Sequence, residues 1–410
     1  MKNNNHTLPH KFVPCPNCGQ VGMDILYEIQ DIPVNSVRVH HTREEAVEYP
    51  RGDLRLGLCR SCGFISNIAY RPGQERYEDE YESTQSYSPT FSEYSQKLAS
   101  YLIHKHQLYG KKVLEVGCGM GEFLIQICEM GNNHGLGFDP AYQDRLETKA
   151  DVHFVQDYYS EHYQKHKADF LVCKMTLEHI HQTGQFLRLF QLAAQHNPGL
   201  ELFIQVPDIS RILSEYAFWD IYYEHVSYFY PGALIHLLQS NGFEIINCWQ
   251  GYQDQYLLIT GRAVEKINTP PDESNQLQDH LQRSRDFSHH IQHVVRSCRD
   301  RLSCWIEEGQ KIVLWGAGSK GVAFLTTLDV EGGIEFCVDI NPHKQNTYMS
   351  GTGQKIVSPE HLIAYRPDTV IVMNPIYVHE IQKKIINFHL FPRVISVNEL
   401  NQPQDILYRL

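Results

Sequence analysis

The sequence is poor in positive charge: 36 Lys and Arg against 48 Asp and Glu leave a net charge of -12 over 410 residues. No basic patch is segregated along the chain, and an acidic field repels a phosphate backbone, which excludes nucleic acid as a partner. Long hydrophobic runs are missing too. No window approaches the roughly 18 uninterrupted apolar residues of a membrane helix. The opening MKNNNHTLPHKFVP lacks the apolar core of a signal peptide. A soluble, cytoplasmic protein with no membrane association is the expectation. Short-period repeats and low-complexity tracts are absent. The 11 Cys are an odd number and do not form a disulfide framework. Seven of them (Cys118, Cys128, Cys173, Cys248, Cys298, Cys304, Cys337) sit in apolar or helical contexts, where free Cys packs as a small hydrophobe.

Core-building material is plentiful: 42% of residues are apolar, with 24 Tyr and 18 Phe. At about 100 to 200 residues per domain, the length predicts two to three domains. Composition shifts occur over residues 67–93, rich in Tyr, Ser and acids, and over 266–278, where KINTPPDESNQLQ breaks helix and strand. The chain is thereby divided into 1–75, 76–265 and 276–410. In the middle piece KKVLEVG, HGLGFD, DFLVCKM and ELFIQV read as buried strands alternating with amphipathic helices. The third opens with a long helix over about residues 277–308 and repeats the alternation with KIVLWG, EFCVD, TVIVMN and RVISV. The fold class is α/β: a parallel, Rossmann-like sheet covered by helices, flanked by a small N-terminal domain and a second, smaller Rossmann-like unit.

The first piece carries Cys15-Pro-Asn-Cys18 and Cys59-Arg-Ser-Cys62, each followed by Gly. Two intervening residues let both thiolates face one ion, and the Gly permits the tight turn beyond. Four thiolates in tetrahedral geometry select zinc, against the alternative of a redox dithiol. With every position filled by protein, the metal is structural. The 40 residues between the pairs require a sizeable insertion.

Val113 to Gly121 (VLEVGCGMG) is an apolar strand ending in GxGxG and entering a helix at Glu122. Gly117, Gly119 and Gly121 allow close backbone approach, and the helix start offers free amides. Glu115 within the strand is unusual for a buried site unless it meets a cation. The segment resembles the E/DxGxGxG signature of class I S-adenosylmethionine-dependent methyltransferases. The resemblance implies that Asp139, ending GLGFD, meets the ribose hydroxyls and that Asp157, in VQDYY, meets the adenine amino group. Leu177 to Ile180 (LEHI) matches the segment after the fourth strand.

With an activated methyl donor, the enzyme's work is to orient and deprotonate an acceptor. The densest cluster of suitable side chains is Trp219 to Tyr230, following ELFIQVP at the carboxyl edge of the sheet, where α/β ligands bind. Its EH-x-SYF motif, the two CxxC pairs and the C-terminal GxGxKG together resemble the sugar C-methyltransferases, which make branched deoxysugars by 3-C-methylation of nucleotide-linked 4-keto hexoses. The resemblance spans nearly the whole chain. It implies His225 as general base, Glu224 as its orienter or a sugar ligand, and Tyr222 as a hydroxyl that stabilises an enolate or relays a proton. By the same resemblance His179 faces the acceptor, and Tyr77 or Tyr81 stands for an N-terminal active-site tyrosine. The implied partner is a small-molecule acceptor, a nucleotide-sugar, with a monomer as the working expectation for oligomeric state. The sequence departs from the family at Lys174, where Asn is usual, at Tyr223, where His is common, and over 251–258, which lacks Gly-Gly-Ser. These departures bear on substrate identity.

Lys311 to Gly321 (KIVLWGAGSKG) satisfies strand-GxGxxG-helix, and Asp339 closes the next strand, as a dinucleotide site requires. Three readings stand: acceptor binding with Lys320 on a pyrophosphate, an empty scaffold, or a bound dinucleotide. The corresponding alternatives for the chain are an O- or N-methyltransferase of another small molecule and an NAD-dependent oxidoreductase. Most of the 23 His read as exposed.

Overall fold

The computed structural model describes residues 13–74, 81–82, 84–265, 274–330 and 332–401. In chain order, β1 (Met23–Pro33), β2 (Arg51–Cys59) and β3 (Ile65–Asn67) precede a helix over Pro89–His106. That helix starts where Ser88 Oγ accepts from Phe91 N at 3.3 Å with Pro89 in the first turn, and it stops at Gln107, in left-handed conformation. Then come β4 (Lys112–Val116), β5 (His134–Phe138), β6 (Asp151–Val155), β7 (Phe170–Lys174) and β8 (Glu201–Pro207), followed by β9 (Ser227–Tyr228), β10 (Phe243–Gly251) and β11 (Tyr256–Ala263). A long helix over Ser274–Glu307 leads to β12 (Ile312–Trp315), β13 (Ile334–Val338), β14 (Lys355–Val357), β15 (Thr369–Val372) and β16 (Arg393–Ser396).

These strands form three sheets. The central one has the order β10-β11-β8-β7-β4-β5-β6. Five of its strands are parallel, as the apolar runs predict, but β11 pairs antiparallel with both β8 and β10. The sheet is therefore mixed. The hairpin joining β10 to β11 needs no crossover helix, so the strand-helix alternation gives no warning of it. The C-terminal sheet, β14-β13-β12-β15-β16, is parallel throughout.

The first sheet, β1-β2-β3-β9, takes its fourth strand from far along the chain, because Ile65 pairs with Tyr228 and Ser66 with Ser227. The EH-x-SYF segment is thus built into the N-terminal sheet. The long helix also docks on this lobe: His280 stacks on Tyr230 with centroids 4.0 Å apart, and its Nε2 meets Gly63 O at 2.9 Å. Gly63 is required there twice over, since its φ is +69° and a Cβ would lie 2.5 Å from Tyr230. One apolar core runs through all three regions. At its junction Phe218 stacks on Phe324 of the C-terminal domain at 6.0 Å, both wholly buried. Fully burying a side chain of this size stabilises by about 1.5–3 kcal/mol, so the domains hold each other.

Of the seven cysteines outside the CxxC pairs, Cys304 is exposed on the long helix and Cys248 is half-buried; the other five are buried. Not every His is at the surface either: His40 is 3% exposed and bonds Ser350 Oγ at 2.8 Å. Among the described residues no helix is long and apolar enough to cross a membrane.

Candidate active site and metal centre

The two CxxC turns converge. Cys15 Sγ lies 3.7 Å from Cys62 Sγ, and Cys18 Sγ 3.7 Å from Cys59 Sγ, with all four sulfurs within 4.8 Å of one another. Zinc–sulfur bonds of about 2.3 Å in a tetrahedron separate sulfurs by about 3.8 Å, so the cluster has the size such an ion needs. Both turns close alike, with Gly19 N on Cys15 O at 2.8 Å and Gly63 N on Cys59 O at 2.9 Å. The insertion between them is β1, a short helix over Arg43–Val47, and β2.

In the central sheet, β4 runs into the first Gly-rich turn. Gly117 has φ +74° and a Cβ there would lie 2.0 Å from Thr176 Oγ1, so the strand can turn only without a side chain. Gly119 has φ +54° and faces open space. Asp139 closes the turn from β5: its Oδ2 accepts from Gly119 N at 2.8 Å and its Oδ1 from Ala141 N at 2.8 Å. Asp157, past β6, lines the same cavity and accepts from Tyr163 Oη at 2.7 Å. Glu115 is 2% exposed, and its Oε2 has no hydrogen-bond partner among the described residues. Burial pushes its carboxyl up to about 8 against the opposing pull of Lys174. A side-chain-free cradle beside a buried acid with one oxygen unmet fits S-adenosylmethionine, a cationic ligand with a methionyl ammonium.

The cradle opens into a cavity of about 800 Å³ shared by all three regions, with Tyr70 from the first, Tyr81, Glu115 and His225 from the second, and Trp315 and Lys320 from the third. This is the size of a small-molecule site. Tyr81 lines it; Tyr77 lies outside the described residues. Tyr222 Oη and His225 Nε2 are 3.0 Å apart, and His179 meets the His225 ring edge-on at 4.9 Å. Glu178, His179 and His225 converge, with polar atoms within 4.8 Å of one another. Glu224 turns toward the N-terminal lobe, where its Oε1 accepts from Ser36 N at 2.7 Å and from the Ser36 hydroxyl.

Burial governs the protonation states here. It pushes His179 down to about 4 and Glu178 up to about 8. The His225 imidazole is held well below its ordinary value by burial, and further by His179 and Lys320. Tyr222 is raised far above a normal phenol, again by burial first. At neutral pH the site therefore holds a neutral imidazole against a protonated phenol.

Lys320 is in contact with Asp220, which also pairs with Arg211. Although burial opposes it, these two cations hold the Asp220 carboxyl below its ordinary range. The Lys320 ammonium stands at the second Gly-rich turn, as the sequence leads one to expect, but with a carboxylate from the central domain as its partner. Sequence reasoning missed this network and Glu178 as a site residue. No periodicity links Arg211, Asp220 and Lys320, whereas Glu178 stands in the LEHI segment beside His179.

Residues 90–247 match the family described as methyltransferase domain, and residues 260–389 match that described as C-methyltransferase C-terminal domain. The C-methyltransferase NovU of Streptomyces niveus is 22% identical over 349 residues, covering 80% of this chain and 81% of that protein. The ubiquinone biosynthesis O-methyltransferase of Citrobacter koseri is 35% identical over 104 residues, covering 23% of this chain and 42% of the relative. Among solved structures, the 1,6-didemethyltoxoflavin-N1-methyltransferase of Burkholderia thailandensis, determined with S-adenosylhomocysteine, is 16% identical with a TM-score of 0.32, over 43% of this chain and 82% of that one.

Proposed function

From the premise that the chain is an S-adenosylmethionine-dependent methyltransferase of class I α/β fold, we propose that it methylates carbon, on a nucleotide-linked keto-deoxysugar, through an enolate. The observation that carries the reading is the Tyr222–His225 pair, buried in the same cavity as the Gly-rich cradle. The likeness to a C-methyltransferase across most of the chain supports it.

Glu115, Gly117, Gly119, Gly121, Asp139 and Asp157 hold S-adenosylmethionine, which supplies an electrophilic methyl group. Making the acceptor carbon a nucleophile falls to the chain's own side chains. His225, kept neutral by its surroundings, takes the proton from the carbon beside the ketone. Tyr222, kept protonated, either donates to the developing enolate oxygen or relays that proton, its oxygen taking the proton from the carbon as its own passes to His225 Nε2. His179 fixes the edge of the His225 ring, while Glu224, anchored on Ser36, orients the segment or meets the sugar. The four N-terminal cysteines hold a structural zinc ion.

The test is exchange. With a nucleotide-linked 4-keto-deoxysugar in deuterated water and no methyl donor, the enzyme should wash deuterium into the carbon next to the ketone, and labelled donor should then place its methyl there. Methyl transfer to oxygen or nitrogen without such exchange would sink the C-methylation reading.

A further inference from the structure

Lys174 is the last residue of β7, next to β4 in the sheet, where Glu115 pairs with Val172. It lines the cavity on the side of the first Gly-rich turn. Its Nζ lies 5.3 Å from the Phe91 ring centroid and 5.4 Å from that of Phe123, the latter on the helix that follows the turn. An ammonium has three N–H donors. The one hydrogen-bond acceptor that Nζ meets among the described residues is Met175 Sδ at 3.7 Å, a thioether and a weak one. Lys174 is half-buried, and cations withdrawn from water are ordinarily paired and hydrogen-bonded, because leaving such donors unmet is costly. The nearby carboxylates do not make the bond. Glu122 accepts from the hydroxyls of Thr84 and Ser86, and Glu115 and Glu178 act on Lys174 through space.

The other cavity cations are engaged. Lys320 and Arg211 share Asp220, and Lys344 Nζ donates to Ala317 O at 3.3 Å. An anion reaching the first Gly-rich turn therefore meets Lys174. Glu115 supplies the complementary half, a buried carboxyl with one oxygen unmet. A buried acid and a half-buried ammonium with unmet capacity, side by side near the ends of adjacent parallel strands, match a zwitterionic α-amino acid group, and such a group adds no net charge to the site.

We propose that Lys174 binds the α-carboxylate of the methyl donor's methionyl group, with Glu115 facing its α-ammonium, and so selects a donor that retains its carboxylate. The inference rests on S-adenosylmethionine as the donor. Its warrant is independent of the acceptor, since it uses only the geometry around β4 and β7.

Calorimetric titration of the full chain with S-adenosylhomocysteine and with its decarboxylated counterpart, S-adenosyl-3-thiopropylamine, tests it. The native protein should prefer the carboxylate-bearing ligand by about 10- to 100-fold, the range of a charge-assisted hydrogen bond. Lys174→Met should lose that preference while binding the decarboxylated ligand as the native protein does, which also reports that the variant is folded. Lys174→Arg should keep part of it. Lack of preference in the native protein, a preference undiminished in Lys174→Met, or equal weakening of both ligands by that substitution would each overturn the assignment. Failure of the native protein to bind either ligand would instead remove the donor premise, and the inference with it.

Discussion

The two Gly-rich turns are built alike and equipped oppositely. Each ends a central parallel strand in a glycine of positive φ, Gly117 at +74° and Gly316 at +119°. Each is closed by an aspartate from the next strand: Asp139 accepts from Gly119 N at 2.8 Å, and Asp339 from Ala317 N at 3.0 Å. Two residues before the glycine, however, the first turn carries the buried acid Glu115, and the second carries buried Leu314. Gly119 looks onto open space, whereas a Cβ on Gly318 would lie 3.9 Å from Lys344 Nζ. The first turn offers a buried carboxyl with one oxygen unmet among the described residues, with Lys174 beside it; the second is flanked by lysines that are already engaged. Backbone geometry makes a turn able to bind, and the flanking side chains decide which charged groups it accepts.

Substitutions can break this contrast. The largest effect is expected where the two sides meet, at His225, which feels His179 from the first side and Lys320 from the second. His225→Ala should cost about 10²- to 10⁴-fold in methyl transfer with labelled donor. Binding of S-adenosylhomocysteine should stay near normal, and a fully active variant would refute the base assignment. Next comes the pair of aspartates. Asp139→Ala should weaken S-adenosylhomocysteine by about 10- to 100-fold in titration, while Asp339→Ala should leave it within about 2-fold. Equal losses would mean the turns are not differentiated.

A smaller effect is expected from Lys320→Met. Lys320 helps hold the His225 imidazole down, so its removal raises that imidazole. The neutral form is the active one, and the acid limb of the pH–rate profile should move to higher pH. Movement the other way, or none, would contradict the electrostatic link between the domains.

The remaining effect is one of stability rather than of activity or binding, at Glu178. Its carboxyl takes up protons to about 8 in the folded chain against 4.5 ordinarily, so between those values the folded state binds more protons than the unfolded state. Native stability must then fall as pH rises through that window. Glu178→Gln removes this loss, and its melting temperature relative to the native chain should climb between about pH 5 and about pH 8. A constant difference would mean that Glu178 titrates normally.

Much of this was legible in the chain. Glu115, the glycines after it and Asp139 lie within one strand-turn-helix-strand unit, and local spacing suffices to bring them together. The paired CxxC turns could be read because each carries its own geometry in four or five residues. The LEHI and EH-x-SYF segments could be located, yet the edge-on contact of His179 with His225 could not, since 46 positions separate them in the sequence. The same holds for the hairpin of β10 and β11, for the pairing of β3 with β9, and for Lys320 on Asp220.

The sequence by itself determined the class of fold, the cradle for a cationic cofactor and the four-thiolate cluster, because these follow from local backbone preferences and short-range ligand spacing. Only the tertiary structure decided that three regions share one cavity, that His225 is neutral and Tyr222 protonated, and that Lys174 has no oxygen partner among the described residues while Lys320 has one. Those outcomes depend on burial and on charges brought together from distant positions, and desolvation is a property of the packed chain that no stretch of residues carries alone.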